Sequence, residues 1–139
     1  MGRLTGMPSV VLPRSRHFAH SELRCAHCGE NRMDPMFLVL LEEVRVALGR
    51  PMILTSAYRC PEYNARISST GAHGPHTTGQ AVDVAVYGDR AVMLVWHALR
   101  AGFTGIGVKQ HGPKSGRFVH LDTLSPGGRA PRPWIWSYS

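Results

Sequence analysis

A histidine and an aspartate seven residues apart stand in Ser69-Thr-Gly-Ala-His-Gly-Pro-His-Thr-Thr-Gly-Gln-Ala-Val-Asp-Val-Ala-Val86, the stretch of this chain whose residue types best suit chemistry. Its end alternates, with Val82, Val84 and Val86 on one side and Ala81, Asp83 and Ala85 on the other, the period-2 signature of a strand buried on one face. Asp83 is therefore expected on a rigid element, with only small alanines beside it and open space before its carboxylate. His76 precedes it in a Gly/Pro/Thr-rich loop. A pair of this kind can supply two of the three protein ligands of a catalytic zinc, whose fourth position is left to water.

A third ligand is offered near the C-terminus by Gly116-Arg-Phe-Val-His-Leu-Asp122, a second alternating run. There Phe118, His120 and Asp122 share one face and Val119 and Leu121 the other. One of the two polar side chains can bind a metal while the other works beside it. Asp122, about 7 Å from His120 along a strand, can take a proton from the attacking water or can orient His120 as a supporting carboxylate. Both roles stay open from spacing. Arg59, at the end of the apolar run Pro51-Met-Ile-Leu-Thr-Ser56, can present a rigid fork of donors to a carboxylate or to a developing oxyanion. His73, His97 and His111 have no such company and read as ordinary structural or loop histidines. Cys25-Ala-His-Cys28 is a CxxC, but only Cys60 is left to complete a metal site, so the three thiols are expected to be ordinary and reduced.

The elements that must position these groups follow from periodicity and punctuation. Residues 1–16, with Pro8 and Pro13, predict an extended lead-in, and 17–139 one domain, as the total of 139 residues suggests. Asp34 and Pro35 open a helix whose Phe37, Leu38, Leu41, Val44 and Leu48 form an apolar stripe, closed by Gly49. Residues 51–56 predict a buried strand and Pro61 a short helix to Ile67. Asp89 is the expected cap of a helix over 90–100 that buries Val92, Val95, Trp96 and Leu99. Gly105 to Lys109 predicts a strand paired with the His120 strand as a hairpin. The tail, Arg132-Pro-Trp-Ile-Trp-Ser-Tyr138, is expected to cover the core or pair on a sheet edge.

Sixteen Lys and Arg against nine Asp and Glu leave a net charge of +7, which favours an anionic partner such as nucleic acid, an acidic membrane surface or a bacterial cell wall. The basic residues are scattered, without runs or interleaved aromatics, which argues against nucleic acid and for a solvated basic surface. No segment approaches the ~18 apolar residues of a membrane span. The N-terminus lacks the long apolar core of a signal peptide, so the chain is expected to be made in the cytoplasm without a signal for export.

Taken together, Ser56-Ala-Tyr-Arg59, His76-Thr-Thr-Gly-Gln-Ala-Val-Asp83 and Phe118-Val-His-Leu-Asp122 resemble, in this order and separation, the zinc D-Ala-D-Ala carboxypeptidase family of peptidoglycan peptidases, the M15 peptidases. The likeness is to the short forms of bacteriophages and their hosts, and it runs from Phe18 to the tail. It implies an α+β fold, a small central antiparallel sheet with helices packed on it in a single domain. It implies one zinc per chain on His76, Asp83 and His120, and Arg59 as the group that holds the substrate carbonyl or carboxylate. The implied partner is the peptide stem of an anionic cell wall, met by a monomer delivered through phage lysis or a virion. One departure is visible. Several members carry an acidic residue or a histidine two or three positions before the last zinc ligand, where this chain has Arg117 and Phe118, which leaves Asp122 as the candidate base.

Overall fold

The computed structural model describes residues 15–128 and 130–139; the predicted lead-in falls almost wholly outside them. Helix α1 spans His20–Leu23, and α2 spans Pro35–Leu48, where the Asp34 carboxylate accepts the Phe37 N–H at 2.9 Å and Gly49 ends the helix in the left-handed region. Strand β1 (Ile53–Ser56) is followed by α3 (Pro61–Ile67), two one-turn 3-10 helices at Gly71–His73 and Pro75–Thr78, and β2 (Ala81–Ala85). Then come α4 (Asp89–Ala101), β3 (Gly105–Lys109), β4 (Phe118–Asp122) and β5 (Trp134–Ser137).

The five strands form one sheet in the order β1-β2-β4-β3-β5. Neighbours are antiparallel from β1 to β3, including the expected β3/β4 hairpin, while β5 joins the β3 edge in parallel. The fold is α+β, and the tail makes its sheet mixed. One face is apolar: Val82, Val84, Ile106, Val119 and Leu121 pack with Phe37, Leu41 and Val44 of α2 and with Leu94 and Ala98 of α4. Truncating a wholly buried leucine such as Leu94 or Leu121 to alanine costs about 2–5 kcal/mol in a core of this kind. The opposite face carries Asp83, His120 and Asp122.

Three local expectations are corrected. Strand β1 lies on the outer edge, and Ile53 is 64% exposed, so the strand is half-buried. Asp89 is the first residue of α4, whose cap is Gly88 at φ +67°. The face of α4 turned to the core is Ala91, Leu94 and Ala98, whereas Val92, Trp96 and Leu99 are half or more exposed. Trp96 instead lies outside, with the Arg100 guanidinium 4.8 Å from its ring centre.

Candidate metal centre

Register brings the chemistry together. Asp83 pairs directly with His120, His120 with Gly107 and Gly107 with Trp136, so one row of residues crosses four strands on the face away from the core. Directly opposed residues hold their Cβ atoms about 4.5–5.5 Å apart, close enough for Asp83 and His120 to share an ion. The next row pairs Ala81, Asp122, Gly105 and Trp134. The glycines of β3 make room for large neighbours: a Cβ on Gly105 would lie 2.2 Å from the Asp122 carboxylate, and one on Gly107 would lie 2.7 Å from the Trp136 indole.

His76 arrives from the 3-10 turn that precedes β2. That turn ends at Gly79, which has φ +76° and whose Cβ would meet the Arg32 carbonyl oxygen at 2.1 Å; only glycine fits on both counts. The Gly79 carbonyl in turn accepts the Asp34 N–H, tying the turn to the start of α2.

The hydrogen bonds assign the tautomers. His76 Nδ1 lies 2.7 Å from the Ala57 carbonyl, which can only accept, so Nδ1 carries the proton and Nε2 presents its lone pair 3.3 Å from Asp83 Oδ1. His120 Nε2 donates to Asp122 Oδ2 at 2.8 Å, which leaves Nδ1 bare, 3.1 Å from the same Asp83 oxygen. Two imidazole lone pairs and a carboxylate oxygen thus converge, all within 4.8 Å of one another and all buried. Three acceptors facing each other need a cation between them. A nitrogen, nitrogen and oxygen set with one further position free is a donor set that suits zinc.

Electrostatics agree. Burial works against the Asp83 anion, but His120 and His76 outweigh it and hold the carboxyl well below its usual range. Burial likewise opposes charge on His120, but Asp122 and Asp83 on either side raise its pKa, so positive charge is favoured at Nδ1, from a proton or from a metal that takes its place.

Asp122 is fully enclosed. Its two oxygens accept from His120, from Arg132 in a two-pronged clasp (Nε to Oδ1 2.9 Å, Nη2 to Oδ2 2.7 Å) and from the Leu124 N–H. Burial is overcome by His120 and Arg132, which lower its pKa to about 2. Of the two roles open to it from spacing, this geometry fits the orienting one: its oxygens are engaged, and it is absent from the cavity wall. Arg59 is also held, with Nε on Ser56 Oγ (2.9 Å), Nη1 on Asn64 Oδ1 (3.0 Å) and Nη2 facing Asp83 Oδ2 (3.4 Å). Each terminal nitrogen keeps a second N–H for a ligand. The open space predicted before Asp83 is filled by Arg59 and the two imidazoles.

A cavity of about 560 Å³ opens on this centre. Arg59, His76, Asp83 and His120 line it together with Arg132, Trp136 and Tyr138 from the tail. Trp136 packs its ring 5.1 Å from His120 and lies beneath the Arg132 guanidinium. Burial pushes the Tyr138 hydroxyl up, so it stays a protonated donor at neutral pH. Sequence reading missed Arg132, Trp136 and Tyr138 as site residues. The one available signal was the aromatic alternation of the tail, which marks a strand without saying what it covers. His111 stays outside, its Nε2 on the Tyr138 carbonyl.

Among the described residues, no helix is long and apolar enough to cross a membrane. A search of curated proteins finds no match. The sequence pattern of the family described as Peptidase M15 matches residues 16–122, which span Arg59, His76, Asp83, His120 and Asp122 and stop short of β5. With more than three-quarters of its length matched, the chain belongs to the M15 peptidase family, a family of metallopeptidases.

Proposed function

We propose that the protein is a zinc metallopeptidase that hydrolyses an amide bond in the peptide stem of bacterial peptidoglycan. The observation that carries this reading is the convergence of His76 Nε2, His120 Nδ1 and Asp83 Oδ1 at the wall of a cavity that also presents Arg59. Zinc held by these three residues would supply Lewis acidity, lowering the pKa of a bound water to about 7 and polarising the scissile carbonyl. Arg59 receives the substrate carbonyl or a terminal carboxylate with its remaining N–H groups, and its bonds to Ser56 and Asn64 keep it from having to reorganise during reaction. Asp122, clasped by Arg132, fixes the His120 ring and its tautomer. Trp136 shields that ring from water. The +7 charge supports adsorption of a monomer to an anionic wall, reached during phage lysis or from a virion.

The test is zinc content and digestion of purified peptidoglycan by wild type and His76→Ala, with released fragments identified by mass. Metal at the His/Asp centre and defined fragments, both lost in the variant, are expected, and the fragments name the bond. A second reading, a zinc-containing wall-binding module without catalysis, draws on one observation: Asp83 is the single carboxylate among the described residues lining the cavity. Zinc retained with wall binding but no fragment would favour it.

A further inference from the structure

The fold gathers the three cysteines that the sequence left apart. Cys25 follows Arg24, the C-cap of α1, and the chain turns back at once: Gly29 N–H bonds the Cys25 carbonyl at 2.9 Å, and Cys25 N–H bonds the Glu30 carbonyl at 2.7 Å. This turn sits against Cys60, the residue that starts α3 directly after Arg59. The three Sγ atoms lie within 4.8 Å of one another, from buried Cys25 to exposed Cys28.

What surrounds them is suited to negative sulfur. Cys60 N–H points at Cys25 Sγ at 3.3 Å. His27 Nε2 lies 2.7 Å from Arg66 Nη2; arginine only donates, so the imidazole proton sits on Nδ1, which faces Cys60 Sγ at 3.7 Å. The ring is locked there by stacking on Tyr63, with centroids 5.4 Å apart and planes within 6°. Three sulfurs this close, with donors beside two of them, can give up their protons together to one soft cation.

We propose that Cys25, Cys28 and Cys60 form a second metal site, separate from the cavity, that binds a thiophilic cation, zinc(II), as three thiolates. Each S–H gives its proton to solvent as the sulfur–metal bond forms. His27 is a supporting donor to the Cys60 sulfur, and the fourth position opens to solvent beside exposed Cys28. An all-sulfur set selects against calcium and magnesium. The site clamps the N-terminal turn onto the segment that positions Arg59, because Cys60 adjoins Arg59 and α3 carries the Asn64 that bonds it. The inference goes beyond the peptidase reading and does not rest on it, since none of these cysteines lines the cavity.

The test uses the full chain purified with reductant, stripped of metal and titrated with cobalt(II), alongside zinc analysis. A thiolate-to-cobalt charge-transfer band in the near ultraviolet is expected in wild type and in His76→Ala, and its loss in Cys28→Ser. Zinc should fall from about two equivalents to about one in Cys28→Ser, and likewise in His76→Ala. One readout needs no variant: thiols of zinc-loaded wild type should react with a thiol reagent about tenfold faster once a chelator is added. Three freely reactive thiols at saturating zinc with no charge-transfer band, or a native disulfide whose reduction restores no metal binding, would overturn the proposal. A failed peptidase assay would leave it standing.

Discussion

The His76, Asp83 and His120 centre lies on strands in fixed register, while the Cys25, Cys28 and Cys60 cluster lies on a tight turn and the start of a short helix. In the first, a carboxylate and two imidazoles are each held from behind, by Arg59, the Ala57 carbonyl and Asp122. In the second, one backbone N–H and one imidazole approach two of the sulfurs, and Cys28 faces solvent. The difference teaches how the two are held. A site that must act on a substrate is built into the sheet and kept open on one side, while a site that only joins segments can be made of loops that the metal itself draws together.

Removing a donor from the first while watching the second tests that division. His76→Ala should lower peptidase kcat/KM by about 10³-fold or more, since several kcal/mol of Lewis-acid stabilisation are lost, yet leave the chain folded and the cysteine site in place. Loss of both metals together would break the comparison. Arg59→Met comes next, with an expected drop of about 10²–10³-fold in kcat at full zinc occupancy. Arg59→Lys should rescue little, because an ammonium cannot serve Ser56, Asn64, Asp83 and a substrate at once. Asp122→Asn, one step further from the chemistry, should cost about 10–100-fold in zinc affinity or activity, read by competition with a chelator.

The acid limb of stability sharpens the picture. Asp122 has a folded pKa of about 2 against its ordinary 3.8. Between those values the unfolded chain binds more protons, so this contribution is complete above 3.8 and is lost as pH falls toward 2. Arg132→Met should move the loss to higher pH in a denaturant series, because one of the two partners holding the carboxylate is gone. The smallest effect belongs to the outer face of α4: Val92→Thr should change stability by no more than about 0.5 kcal/mol.

Much of this was legible before any coordinates. Alternation in 81–86 and 118–122 assigned Asp83, His120 and Asp122 to strand faces correctly, because a strand's period of two leaves a side chain only two directions. Asp34, Pro35 and Gly49 bounded α2 through cap chemistry that is local to a few residues. The face of α4 was misjudged because helical spacing offers more than one apolar stripe, and tertiary packing took the one with Ala91, Leu94 and Ala98.

Residue types and their local periodicity pointed to His76, Asp83 and His120 as groups that could bind a metal, and determined which way Asp83 and His120 would point from their strands. Only the tertiary structure decided that Asp83 stands opposite His120, that Arg132 and Trp136 close over that pair, and that Cys60 meets the CxxC turn. Those are matters of strand register and of contacts between segments distant in sequence, set by the packing of the whole chain, and no spacing along the chain encodes them.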